Sequence, residues 1–150
     1  MRKKQRQLCG SDAISIIEKG EYGILSTVSL HGEPYGVPVN YCFIDQCIYL
    51  HCAPAGKKLD HIAANPKVSF CIVGDTAIQP ERFTTKFESA IVSGTAEEVF
   101  GEEKKQALAG VIKKYALQFQ ADGLAYVNKA HEKTKVIKIV PTAITGKASR

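Results

Sequence analysis

The apolar positions of the chain change period several times along its length, and each change marks an element. Residues 11 to 20 place Ile14, Ile16 and Ile17 on one helical side, with Ser11 or Asp12 available as a cap and Gly20 as the stop. "YGILSTVS", residues 22 to 29, is β-branched and partly alternating, the mark of a strand. After the turn "LHGEP", residues 35 to 45 read as a second strand with Pro38 inside it. The tight turn at Asp45 and Gln46 leads to a third, residues 47 to 53, so that these three are expected to form an antiparallel meander. Residues 56 to 66 return to a helical period: Leu59, Ile62 and Ala63 share a face, and Asn65-Pro66 ends it. Strands follow at 67 to 75 and 84 to 99, separated by the loop "TAIQPERF", and Gly94 marks a bend or bulge. Leu108, Val111, Ile112 and Tyr115 give residues 101 to 116 an amphipathic helix. Residues 117 to 133 are mixed and polar, and a last strand covers 134 to 149. Six strands and about three helices, joined by turns rather than regular crossovers, predict a mainly β fold: an antiparallel sheet curled into a barrel, with helices at its ends.

A length of 150 residues and 45% apolar content fit one domain over residues 1–150 with a substantial core, preceded by a mobile tail over 1–10. No stretch reaches the ~20 apolar residues that span a bilayer, so no membrane partner is expected. The basic start "MRKKQRQLCG" lacks the apolar run of a signal peptide, and the expected location is the cytoplasm. The five cysteines, Cys9, Cys42, Cys47, Cys52 and Cys71, are odd in number and show no C-x-x-C spacing, which fits reduced thiols packed as small hydrophobes. The net charge of +5 is spread along the chain. Its densest cluster, Arg2, Lys3, Lys4 and Arg6, reads as a solvated tail, and there is no zinc-finger or RNP spacing to suggest a nucleic-acid partner.

The chain has no G-x-S-x-G elbow, no Walker A loop and no G-x-G-x-x-G after a strand. Its four histidines form no H-E-x-x-H, and no metal site is expected. His61 reads as a helix-surface residue and His131 as a loop residue. Chemistry concentrates instead in "YLHCAPAGKKLDHIAANP", residues 49 to 66. A strand ends at His51; a small-residue turn reaches Gly56; Lys57 and Lys58 open a helix. The N-terminus of a helix offers backbone N–H groups and a positive dipole end to an anion. Two lysines there oppose the dipole unless solvent screens them or an anion sits between them.

These parts, in this order, resemble the FMN-binding split-barrel superfamily of pyridoxamine 5′-phosphate oxidase, and within it most nearly the nitroimidazole-resistance (Nim) proteins. The resemblance is carried by "GEPYGVPVNYCF" (32 to 43), "IYLHCAPAGKKLDHIAANPKVSF" (48 to 70) and "KFESAIVSGTAEEV" (86 to 99), with weaker support from "TAITGKA" (142 to 148). It implies a six-stranded antiparallel split β-barrel that binds FMN. Gly56, Lys57 and Lys58 match phosphate-binding positions. Val37, Pro38, Val39 and Asn40 match the segment lining the flavin ring, and His51, Cys52 and Ala53 the strand end beside it. Phe87, Glu88 and Ser89 match a segment that faces the cofactor from the second subunit of a homodimer. In the Nim group, the histidine at the place of His51 is the proposed active-site residue.

The implied activity is that of a flavin-dependent oxidoreductase, FMN passing electrons from NAD(P)H to a nitroaromatic, 5-nitroimidazole-like or other small acceptor, with His51 as proton donor. The further arginine, tyrosine and histidine set with which pyridoxamine phosphate oxidases hold their substrate phosphate is missing, which argues against pyridoxal phosphate synthesis. The alternative is a binding protein in which the same barrel holds flavin or haem for storage or sensing.

Overall fold

The structure, a computed structural model, describes residues 4–149. Seven strands, β1 (Gly23–Val28), β2 (Pro34–Val39), β3 (Cys42–Ile44), β4 (Cys47–Cys52), β5 (Lys67–Gln79), β6 (Thr84–Val99) and β7 (Lys135–Ser149), make one sheet in the order β2-β1-β5-β6-β7-β4-β3. Every neighbouring pair is antiparallel. Four α-helices accompany it: α1 (Gly10–Lys19), α2 (Lys57–Ala64), α3 (Gly101–Tyr115) and α4 (Gln120–Ala130).

The two edge strands, β2 and β3, are consecutive in the chain and separated only by Asn40 and Tyr41. Three residue steps reach about 11 Å at most. The sheet therefore curls until its edges nearly meet, which is a split barrel. This corrects the single strand expected over 35 to 45, and with it the count of six and the meander. The first half pairs with β1 and the second with β4, on opposite edges. Tyr41 is the reason for the break. Its fully buried ring donates its hydroxyl proton to the Ile17 carbonyl. Its own N–H donates to the Tyr115 hydroxyl at 3.0 Å, and that hydroxyl lies 3.0 Å from the Tyr41 carbonyl and 2.6 Å from that of Glu21. A side chain from α3 thus takes the backbone groups that a continuing ladder would have used.

Ile17, Leu25, Ile48, Leu50, Phe70, Ile72, Val92 and Ile139 fill the barrel. A second cluster lies on the outer face, where Tyr49, Val99 and Val136 meet Leu108 of α3 and Val127 of α4. β4 serves both: Ile48, Leu50 and Cys52 point inward, Tyr49 outward. Gly23 is required by close approach, since a Cβ there would stand 2.1 Å from the Phe70 ring. Gly23→Ala should therefore lower unfolding free energy by ~1–3 kcal/mol in a urea melt, although alanine ordinarily suits a strand better than glycine. Equal or greater stability would show that the ring has room to move.

Several boundaries differ from the sequence reading. α1 begins at Gly10 with Cys9, not Ser11 or Asp12, at its N-cap. β5 runs past a bulge between Val73 and Thr76 and pairs with β6 through Gln79, where a loop was expected. Residues 117 to 133 hold α4 between two 3-10 turns. The irregularity expected at Gly94 is there, as a register shift against β7. Of the segment read as a tail, residues 1–3, with Arg2 and Lys3, lie outside the described residues. Gln7 pairs with Lys147, and the Leu8 N–H donates to the Gly146 carbonyl at 3.0 Å. All five cysteines are free thiols; Cys42 and Cys52 are buried, and Cys9 is exposed rather than in the core. Among the described residues no helix is long and apolar enough to cross a membrane.

Candidate functional site

The split opens where β3 stops. β3 accompanies β4 only from Cys47 to Tyr49, so beyond that point β4 has β7 on one side alone. His51 stands at this end on the outer face, exposed. Facing it is the end of β2. Its side chains alternate, with Val37 and Val39 packed on the barrel core and Pro38 exposed. Pro38 is tolerated because β2 is an edge strand, where a missing N–H breaks no ladder. Pro38, Val39, Asn40 and His51, with Tyr22, line one cleft of about 580 Å³.

The chain leaves β4 through Cys52 and the exposed Ala53 and reaches Gly56, whose φ of +152° is a region that side-chain-bearing residues rarely adopt. Nothing lies within 4 Å of where its Cβ would be, so the backbone there is open to an approaching group. The Gly56 carbonyl accepts from the Leu59 and Asp60 N–H groups at 3.0 and 3.2 Å, which starts α2, and no side chain caps the helix. The Lys57 and Lys58 N–H groups, ahead of that first bond, are left for an external acceptor.

Lys57 is held. Its Nζ lies 4.8 Å from the centroid of the Tyr35 ring, above β2. Tyr35 in turn meets His61 edge to face, with centroids 5.9 Å apart. His61 is buried, not on the helix surface as expected; its Nδ1 and Thr27 Oγ1 share a hydrogen bond of 3.0 Å. The sequence carried a signal for this. Gly23, Leu25 and Thr27 alternate toward the interior, and a hydroxyl in an inward slot calls for a polar partner. Lys58 is half-buried. Partial desolvation of the ring by its neighbours first, and the Lys58 charge second, hold the His51 imidazole below its ordinary value of 6.5 although the residue reaches solvent. Both effects favour the neutral ring, which the sequence did not disclose.

Phe87, Glu88 and Ser89 are not brought to this cleft within one chain. Phe87 and Glu88 line a separate groove with Asp75, Thr76 and Lys86 where β5, β6 and β7 meet, and Ser89 pairs with Val73 and Lys147. The sequence reading also missed Lys114. Its Nζ sits 3.5 Å from the centroid of Tyr41, and burial lowers its pKa to about 8. It borders a groove that shares Tyr22 and Asn40 with the cleft.

The cleft, with the uncapped start of α2 close enough for the Lys58 charge to act on His51, suits a planar ligand with an anionic tail. The residues present fit a flavin mononucleotide in kind: 56–58 for a phosphate, 37–40 and His51 for a ring.

The family described as pyridoxamine 5′-phosphate oxidase matches residues 11–148. No curated protein sequence matches the chain significantly. Among solved structures, a candidate 5-nitroimidazole antibiotic resistance protein from Bacteroides thetaiotaomicron is 26% identical, with a TM-score of 0.81 over 95% of this chain and 86% of that one. An FAD-binding protein from Mesorhizobium loti is 19% identical, with a TM-score of 0.70 over 97% of this chain and 98% of the other. The haem storage protein HutZ of Vibrio cholerae is 15% identical, with a TM-score of 0.68 over 90% and 92%. The last two likenesses concern the fold alone.

Proposed function

Because the chain belongs to the pyridoxamine 5′-phosphate oxidase-like family, we propose that it is a cytoplasmic flavin-dependent reductase that binds FMN and passes electrons from NAD(P)H to a nitroaromatic, 5-nitroimidazole-like acceptor. The observation that supports the reading is the cleft lined by Pro38, Val39, Asn40 and His51, with α2 starting close enough for the Lys58 charge to act on His51. Its likeness to the Bacteroides protein, above the identity of the other two neighbours, favours a nitroimidazole-type acceptor.

FMN, when bound, supplies the hydride and electron chemistry. The residues of the chain do the rest. The Lys57 and Lys58 N–H groups at the start of α2 and their ammonium groups would hold the phosphate. Tyr35 keeps Lys57 beside β2. Residues 37–40 would hold the ring, Pro38 offering it an exposed surface without an N–H donor. His51 holds a proton at the edge where an acceptor arrives. Purified protein should be yellow and should bleach on anaerobic addition of NADH or NADPH. A yellow protein that does not bleach, or a red one with a Soret band, would mean a binding protein instead.

The reading includes a homodimer, in which Phe87, Glu88 and Ser89 of each chain approach the partner's flavin. Val73, Ile78, Phe83 and Ile91, on β5, β6 and the turn between them, are 55%, 79%, 98% and 44% exposed, apolar surface that a second subunit would cover. Sedimentation equilibrium should give the mass of two chains. A single-chain mass with FMN still bound would remove the second subunit from the site.

A further inference from the structure

His51 is the shared wall of two cavities. Besides the cleft it borders a smaller pocket, of about 140 Å³, beneath α3 and α4. Leu108, Val111 and Ile112 of α3 and Val127 and Ala130 of α4 give it apolar walls. His51, His131 and Thr134 add polar groups. The helices are close: a Cβ on Gly123 of α4 would stand 2.5 Å from Ile112. The His131 Nδ1–H donates to the Asn128 carbonyl at 3.1 Å, so in the neutral ring Nε2 is left as an acceptor.

We propose that this pocket binds a single-ring, planar nitrogen heteroaromatic, edge-on to His51. Size sets the first limit, since a dry apolar cavity of about 150 Å³ takes up one benzene ring. Chemistry sets the second. A plain hydrocarbon would leave the imidazoles and the Thr134 hydroxyl unpaired, whereas an azole ring can hydrogen-bond with them while its faces meet Leu108, Val111 and Ile112. The pocket is open on one side, so a fused bicycle would carry its second ring out into solvent and gain nothing from the apolar walls. The pocket as a binding site does not depend on the cofactor; its assignment as the acceptor site rests on the flavin-dependent reductase reading.

The test uses flavin-free protein and 2-methyl-5-nitroimidazole as the probe, with binding followed by NMR titration. Ala130→Phe fills the pocket from the end of α4, away from residues 37–40 and 56–58. It should weaken probe binding roughly tenfold or more while FMN affinity, titrated in parallel, stays the same. Ala130→Leu should give a smaller loss in the same direction, and serves if the phenylalanine variant does not fold. In the reduced holoprotein the same variants should raise KM for the nitroimidazole more than they lower kcat. Probe affinity unchanged in both variants, or a 5-nitroindole bound more tightly than the single ring, would overturn the proposal. A protein that takes the ring but not FMN ends the reductase reading and leaves the pocket standing; one that takes FMN but not the ring does the reverse.

Discussion

His51→Ala should lower the rate of anaerobic nitroimidazole reduction by ~10²–10⁴-fold, the range associated with a positioned acid or base. The same variant should keep its fold and its FMN affinity. Two features of the site favour that separation. His51 lies on the exposed outer face of β4, whereas the interior positions on either side of it, Leu50 and Cys52, carry the packing. The phosphate contacts assigned to Gly56, Lys57 and Lys58 lie on another element. A histidine whose role was to satisfy the barrel would behave otherwise: truncation would cost ~1–3 kcal/mol of stability and spare the turnover. Thermal melts and single-turnover kinetics on one preparation distinguish the two. A destabilised variant with a normal rate would take His51 out of the mechanism.

The pH dependence gives a second readout. Partial desolvation and Lys58 lower the imidazole below 6.5, so the native protein prefers the neutral ring. In the unfolded chain the ring takes up a proton more readily. The stability contribution is therefore full above 6.5 and is lost as pH falls through the lowered native value. His51→Ala should flatten that acid limb. If the imidazolium is the donor, the His51-dependent rate should rise as pH falls, with its midpoint below 6.5.

Much of this arrangement could be read from residue order, because local signals sufficed. Gly56 before two lysines, a histidine closing an apolar strand and a proline within a strand each imply a local geometry, and each is found. What escaped was set by contacts distant in sequence. The strand over 35 to 45 looks continuous because nothing in it shows that Tyr115, 74 residues away, takes the backbone of Tyr41. His61 looks like a surface residue until Thr27, 34 residues earlier, is placed against it. The strand over 67 to 75 extends to Gln79 because β6 is long enough to pair with it, which local propensity did not indicate. Phe87, Glu88 and Ser89 remain apart from the cleft in one chain, because β6 carries them to the far end of the sheet's long strands.

Replacing Lys57 and Lys58 together with alanine should weaken FMN binding by ~2–4 kcal/mol, as expected for two charge-assisted contacts to one phosphate. The apoprotein should respond with the opposite sign. Both lysines stand in the first turn of α2, where the helix dipole is already positive and no side chain caps the end. Removing them relieves an unfavourable placement and should raise apoprotein stability slightly, by about 0.3–1 kcal/mol before screening by salt. A purely structural pair of surface lysines gives no reason for FMN affinity to fall while stability rises. Riboflavin, which lacks the phosphate, supplies the control: its affinity should be the same for parent and variant. Added salt should weaken FMN binding to the parent more steeply than to the variant, because exposed charges are screened. The single variants should differ as well. Lys57 is oriented by Tyr35, so Tyr35→Leu should reproduce part of the Lys57→Ala loss while Tyr35→Phe, which keeps the ring face, should not. Equal FMN affinities for parent and double variant at moderate salt would exclude Lys57 and Lys58 as the phosphate site, and Lys114, which lines a groove with Asn40, would then be the next residue to replace.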